Sequence, residues 1–244
     1  MKIVFTPDWF LGSDVLIEIF SFIILFLFFY FSVKSYRLNK NKNALYLGFG
    51  FLLIAIAELS TIFTKLILYF DTSFTQEIGR MIITRQIVQS IDIFYYIGFF
   101  FHKLFTLAGL YIIYRLPSRK KTVGDFFLAF YFLILSALFS QGFYYLFHLT
   151  ALFLLILIMK NYNNIYKENK SGNTLVLIIA FGILALSQII LLLSKIEVFY
   201  ALAQIIQVVS YLILLVLIIR IVKHGKKKKS SEYNFRYVGY NKRK

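Results

Sequence analysis

The chain has 244 residues, of which 60% are hydrophobic, and a mean hydropathy of +0.76. This composition excludes an ordinary soluble domain, which needs a polar surface around its core, and it favours a polypeptide solvated by lipid. The net charge of +16 lies mostly in short connecting segments and in the C-terminal tail. That distribution favours anionic lipid headgroups as the partner of the basic residues and disfavours a nucleic acid.

Seven apolar runs predict an all-α polytopic membrane protein, because about 20 apolar residues cross a bilayer as a helix. The predicted bundle occupies residues 1–222. Its fourth and fifth spans form one apolar stretch, which we divide at a tight hairpin over Ser140, Gln141 and Gly142. The expected spans lie at about 15–35, 45–70, 93–115, 124–139, 143–160, 174–194 and 198–222.

The charges of the loops predict the orientation of the bundle. Basic residues concentrate in the first, third and fifth loops and in the tail, where only Asp125, Glu168 and Glu232 are acidic. Loops that are rich in lysine and arginine stay in the cytoplasm. The sequence therefore predicts a multi-pass protein of the cell membrane, with the N-terminus outside and the C-terminus cytoplasmic.

Residues 36–58 resemble residues 166–188 without gaps, which suggests an internal repeat. Span 3 also aligns with span 7, so that His102 meets Gln207 and Arg115 meets Arg220. These matches predict parallel repeats at 15–115 and 143–222, joined by a linker span at 124–139. The alternative is chance, because helices drawn from leucine, isoleucine and phenylalanine align easily. The identical pairs in the first alignment are Tyr36/Tyr166, Asn39/Asn169, Lys40/Lys170, Asn43/Asn173, Leu45/Leu175, Leu47/Leu177, Phe51/Phe181 and Ala55/Ala185, and Glu58 falls on Gln188.

Charged residues within the spans identify a candidate site, because each charge costs about 2.5–3.5 kcal/mol in hydrocarbon and usually marks function or forms a pair. Glu18 and Lys65 lie at similar depths below the outer ends of spans 1 and 2. Glu58, His102 and Lys103 lie deeper, and an ion pair between Glu58 and Lys103 would remove two of these costs. These five residues predict a polar pocket that opens outward.

Further polar residues extend the predicted pocket. Thr61 shares a helical face with Glu58 and Lys65, and the others lie in the outer halves of spans 5, 6 and 7. The alternative is packing, since lysine can extend to the interface and glutamine commonly bridges membrane helices. We favour packing for His148 and the glutamines, and a role beyond packing for Glu58 and Lys103. The additional residues are Thr61, His148, Gln188, Gln204 and Gln207.

The tail at 223–244 is too basic to cross the bilayer and is expected to be disordered. Its four consecutive lysines predict a contact with anionic lipid of the cytoplasmic leaflet or with a cytoplasmic protein. Histidines at metal-ligand spacing, a nucleophile–base pair and cysteines are all missing from the sequence, which therefore implies no metal site, no cofactor and no enzyme. The four lysines are Lys226, Lys227, Lys228 and Lys229.

The segment SVKSYRLNKNKNALYLGFGFLLIAIAEL, within the predicted 3+1+3 arrangement, is similar in texture to the seven-helix sensor regions that precede histidine kinase domains. Seven-helix receptors and opsins share the topology. The last span lacks the retinal-binding lysine of opsins, and neither proline precedes a glutamine as in the Pro-Gln-loop carriers. The resemblance implies a receptor-like sensor that passes a signal from an outward pocket to a cytoplasmic partner. The alternatives are a small-solute transporter built from two triple-helix repeats, and a structural membrane subunit.

Overall fold

The computed structural model describes residues 8–10, 12–40, 42–69, 90–116, 123–140, 143–193 and 196–241. Within these ranges the chain forms seven α-helices, no strand and a short 3-10 turn at Asp8–Phe10. The all-α prediction is therefore confirmed, and each expected span overlaps one helix. The helices are α1 (Ser13–Asn39), α2 (Lys42–Tyr69), α3 (Ser90–Arg115), α4 (Val123–Phe139), α5 (Tyr144–Asn169), α6 (Gly172–Leu192) and α7 (Glu197–Asn241).

Six helices of the described chain are long and apolar enough to cross a membrane, and α4 is not among them. With 17 residues, α4 is shorter than the other helices. At a rise of 1.5 Å per residue it measures about 26 Å, less than the ~30 Å hydrocarbon core. Phe139 ends α4 and Tyr144 begins α5, on either side of the expected hairpin.

The distribution of side chains is that of a membrane-embedded bundle. Large apolar residues lie on the outside, such as Leu16 at 68% exposure, Phe153 at 61% and Val216 at 65%. Charged residues such as Glu18 and Lys65 are buried inside. An apolar surface of this extent is unusual for a soluble monomer but is well solvated by lipid chains.

Six of the helices form a closed ring. Each helix contacts its two neighbours in the order α1, α2, α3, α5, α6, α7 and back to α1, while α4 packs outside against α3 and α5. The α3–α5 and α1–α7 contacts therefore join one triplet, α1–α3, to a second triplet, α5–α7. The same helix order recurs in both triplets.

Helices α3 and α5 run in the same direction. His102 of α3 lies beside Phe147 of α5, with ring centroids 5.8 Å apart. Twelve to fourteen residues further along, the amide Nδ2 of Asn161 donates a hydrogen bond to the carbonyl of Tyr114 at 3.2 Å. Residue numbers therefore increase in the same direction along both helices. The chain between the end of α3 and the start of α5 must return across the length of the bundle.

The two triplets also share the geometry of their first turns. Lys40 and Lys170 follow α1 and α5, and they are the non-glycine residues with positive φ, 55° and 45°, in the described chain. Each backbone N–H donates to a tyrosine carbonyl four residues earlier, at 2.7 Å. The aligned Phe51 and Phe181 stack in the core, with ring planes 5° apart. Contact between equivalent residues is the arrangement expected near a two-fold axis.

The C-terminal segment, for which disorder is expected from the sequence, belongs to the last helix up to Asn241. Helix α7 continues through residues 223–241 to Asn241. No proline follows Pro117 in the sequence, and lysine, arginine and glutamate are good helix formers. The tail is therefore an extension of the last helix of the bundle.

Candidate ligand-binding cavity

A cavity of about 170 Å³ lies within the ring, and every polar residue that the sequence predicts for the pocket lines it. All six helices of the ring contribute at least one lining residue, and Ser140 adds to the lining at the end of α4. The predicted residues that line the cavity are Glu18, Glu58, Thr61, Lys65, His102, Lys103, His148, Gln188, Gln204 and Gln207.

Lys65 forms the centre of a buried charge cluster. Its ammonium donates hydrogen bonds to Oδ2 of Asp14 at 2.7 Å, to Oε1 of Glu18 at 2.5 Å and to the hydroxyl of Tyr200 at 3.0 Å. Lys65 is 1% exposed, so these contacts replace water. Glu18 and Lys65, which the sequence places at similar depths, are in contact, and the cluster ties α1, α2 and α7 together.

Asp14 is a member of this cluster that the sequence reasoning missed. Its Oδ1 accepts hydrogen bonds from the backbone N–H groups of Gly12 at 3.1 Å and Val15 at 2.9 Å. Asp14 lies four residues before Glu18, so both face the same side of α1. That spacing is the sequence signal that could have found it.

The cluster holds more acidic than basic side chains. Two carboxylates, Asp14 and Glu18, surround the single ammonium of Lys65. The second carboxylate oxygen of Glu18, Oε2, is buried without a hydrogen-bond partner in the described chain. An unpartnered buried carboxylate oxygen is costly, which makes it a candidate acceptor for a bound donor.

Glu58 and Lys103 do not form the ion pair predicted from their similar depth. Glu58 instead accepts a hydrogen bond from Nε2 of Gln207 at 3.0 Å, and the Lys103 ammonium donates to the carbonyl of Ser140 at 3.0 Å. Successive helical residues point about 100° apart. Because His102 faces α2, its neighbour Lys103 is turned towards the end of α4.

His102 is anchored to α2 through Nδ1, which lies 2.7 Å from Oγ1 of Thr61 and 3.1 Å from the carbonyl of Ala57. A carbonyl oxygen can only accept, so Nδ1 carries the proton, and Nε2 of the neutral ring is an acceptor. In the same way, Nδ1 of His148 lies 2.9 Å from Oε1 of Gln188. Both imidazoles are therefore oriented by neighbouring helices.

Aligned positions of the two triplets contribute different chemistry to the cavity. Glu58 of the first triplet corresponds to Gln188 of the second, and extension of that alignment places Glu18 opposite His148. All four line the cavity. The first triplet thus supplies carboxylates where the second supplies neutral donors and acceptors.

Several hydroxyl-bearing residues of the cavity were not predicted, among them Thr106, Tyr200 and Tyr211. Thr106 lies three residues after Lys103 on α3, and its Oγ1 is buried without a hydrogen-bond partner in the part of the chain that is described. Tyr200 binds Lys65, and the hydroxyl of Tyr211 accepts from Gln207 at 2.9 Å. Hydroxyl-bearing residues of this kind are frequent in membrane helices, and the sequence alone gives them no distinguishing signal.

Two further expectations concern residues outside the cavity. Lys226, Lys227, Lys228 and Lys229 belong to the extension of α7, and their side chains lie outside the described part of the structure. Among the described residues, no group of three or more histidine, aspartate or glutamate side chains is arranged to hold a metal ion.

Comparisons with protein-family models, with curated proteins and with solved structures found no match to this chain.

Proposed function

We propose that the protein is a receptor-like membrane sensor, in which a small solute binds in the cavity and α7 carries the signal to the cytoplasm. The observation that supports this most strongly is the continuity of α7. Tyr200, Gln204, Gln207 and Tyr211 line the cavity, and the same helix continues without a break to Asn241. Its 45 residues measure about 68 Å, roughly twice the hydrocarbon thickness.

The loop charges and the parallel α3 and α5 support the predicted orientation. Basic residues flank the α1–α2 and α5–α6 turns, including Lys40 and Lys170, and α7 ends among lysines. With these ends in the cytoplasm, the cavity lies towards the outer side. A return across the bundle by α4 makes seven crossings, with the N-terminus outside and the C-terminus inside.

Gln207 provides a direct link between the cavity and α7. Its side-chain amide donates to Glu58 of α2 and to Tyr211 one turn further along α7. A solute that donates to Glu58 competes with this amide and removes one link between α7 and α2, while the contact between Lys65 and Tyr200 remains. Helix α7 then has two states, one with the hydrogen bond between Gln207 and Glu58 and one without it, and the solute binds the second state more tightly. A ligand-driven equilibrium requires such a difference in affinity.

The link can be tested without a known solute by replacing Gln207 with leucine. The chain has no cysteine, so spin labels at Lys42→Cys and Lys223→Cys report one distance between α2 and α7. We expect Gln207→Leu to shift or broaden this distance by about 1–2 Å, the scale of helix shifts in switching proteins. The measurement is electron–electron double resonance on the full chain in nanodiscs.

Gln204→Leu is the matched control, because Gln204 lines the same cavity, and no hydrogen bond of its side chain is found among the described residues. It removes an identical amide one turn away on α7. A Gln207→Leu distance distribution that coincides with that of Gln204→Leu would contradict the proposed coupling.

A small-solute carrier is the second candidate, favoured by the matched order of the two triplets around the cavity. Carriers with parallel repeats bind substrate at the repeat interface and rock around it. Below the cavity, towards the predicted cytoplasmic side, Phe51, Phe181 and Phe28 pack in contact and close the interior. A carrier must open this seal, whereas a sensor can keep it closed.

Thiol labelling separates the two candidates and tests the orientation as well. Ile158 is fully buried in the core, one turn beyond the cavity-lining Leu155 on α5. We expect Ile158→Cys to resist a membrane-impermeant thiol reagent in inside-out vesicles, while the exposed Lys223→Cys reacts there and is protected in intact cells. Rapid labelling of Ile158→Cys from the cytoplasmic face would favour the carrier, and labelling of Lys223→Cys in intact cells would overturn the orientation.

A further inference from the structure

The cavity is lined by acidic side chains of α1 and α2 and by Lys103 of α3, which forms no ion pair among the described residues. Its acidic lining residues are Glu18 and Glu58, and Asp14, outside the lining, shares the ammonium of Lys65 with Glu18. Oε2 of Glu18, a residue that is 2% exposed and lines the cavity, has no hydrogen-bond partner in the described chain. A bound cationic donor would pair with these acidic side chains and satisfy this oxygen.

The basic side of the cavity is formed by Lys103, and the neutral Thr106 lies one helical turn further along α3. Among the described residues Lys103 forms no ion pair, and its ammonium is bound only by the neutral carbonyl of Ser140. Oγ1 of Thr106 is buried beside it without a partner. A carboxylate could accept hydrogen bonds from both side chains, and it would compensate a cation that is otherwise costly within a membrane.

The size of the cavity limits the ligand. A cavity of about 150 Å³ holds a molecule of about six non-hydrogen atoms, such as benzene. The volume here is close to that, at about 170 Å³. A simple amine of this size would leave Lys103 uncompensated, and a simple carboxylate would be repelled by the acidic side. A small dipolar ion satisfies both sides.

We propose that the cavity binds a small zwitterion of the amino-acid class, with its ammonium at Glu18 and Glu58 and its carboxylate at Lys103 and Thr106. The inference rests on the proposed function in taking the cavity as the sensory site. It also deepens that function, since the ligand ammonium is the donor that would compete with Gln207 for Glu58.

Binding of defined probes to the full chain in nanodiscs tests the proposal. Glycine, L-alanine, β-alanine and γ-aminobutyrate vary the separation of the two charges, and ethylamine and acetate each carry one charge alone. Calorimetry is expected to show that at least one amino acid binds about tenfold or more tightly than ethylamine and acetate, because each lost charge-assisted contact is worth about 1.5–3 kcal/mol. Equal affinity for a singly charged probe, or no binding of any amino acid, would overturn the proposal.

Two variants assign the ends of the ligand. Lys103→Met is expected to weaken binding of the best amino acid by about tenfold or more and to leave the weak binding of ethylamine unchanged, while Lys103→Arg retains most of the affinity. Unaltered amino-acid affinity in a folded Lys103→Met protein would rule out the proposed carboxylate site. The spin-label experiment on Gln207→Leu needs no ligand, so a wrong ligand class and a wrong sensor mechanism give different results.

Discussion

Replacement of Lys65 by methionine is expected to lower the free energy of unfolding by about 3–5 kcal/mol, the cost of removing one partner from a buried ion pair. The ammonium of Lys65 lies 2.7 Å from Asp14 and 2.5 Å from Glu18, and both carboxylates are buried. Methionine has a similar length and no charge, so the variant leaves two carboxylates facing each other without a cation. Denaturation of the purified chain from mixed micelles measures the loss.

A charge-matched rescue distinguishes electrostatics from packing. In the triple variant Lys65→Met, Asp14→Asn, Glu18→Gln, the cluster around position 65 carries no charged side chain, and most of the lost stability should return. The exposed Lys223→Met is the control for loss of a lysine and should change stability by no more than about 0.5 kcal/mol. If the triple variant were no more stable than Lys65→Met, uncompensated charge would not be the cause.

The polar cavity was predictable because lipid leaves charged side chains only one direction to face. Glu58, Thr61 and Lys65 lie on one helical face of α2, and that face must point into the bundle. The same argument applies to His102, Lys103 and the polar residues of the later spans. Their convergence on one cavity follows from the period of the helix and the cost of burying charge in hydrocarbon.

The partners within the cavity were not predictable from depth alone. Glu58 and Lys103 lie at similar depths, yet the rotation of α3 directs His102 to α2 and Lys103 to Ser140. A change of one residue in helix register rotates a side chain by about 100°. Pairing therefore depends on helix rotation, which is set by the contacts of the whole ring.

The ends of the chain show a second limit of sequence reasoning. Helix α1 begins at Ser13, two residues before the expected span, and this places Asp14 inside the bundle. At the other end, α7 extends through the run of lysines, which have good helix propensity, to Asn241. In both cases the helix continues past the apolar run that the sequence pattern detects.

A large steric effect is expected from Gly109→Ala, because α2 and α3 meet at their backbones there. A Cβ on Gly109 would lie 2.5 Å from the carbonyl oxygen of Gly50 and 2.7 Å from Cγ1 of Ile54. Small residues permit this approach, and backbone atoms cannot move aside as a flexible side chain can. We expect a loss of about 1–3 kcal/mol or more in the free energy of unfolding.

Gly182→Ala is the matched control for Gly109→Ala, since its Cβ would meet only the flexible end of Met159 at 3.5 Å, an ordinary contact. Alanine is favoured over glycine within a helix by up to about 1 kcal/mol, so this variant should be neutral or stabilised. Separation of α2 from α3 should also lengthen the 2.7 Å contact between Thr61 and His102 and shift the imidazole resonances of His102. Equal stability of the two alanine variants, with His102 unperturbed in both, would contradict the close backbone contact between α2 and α3 at Gly109.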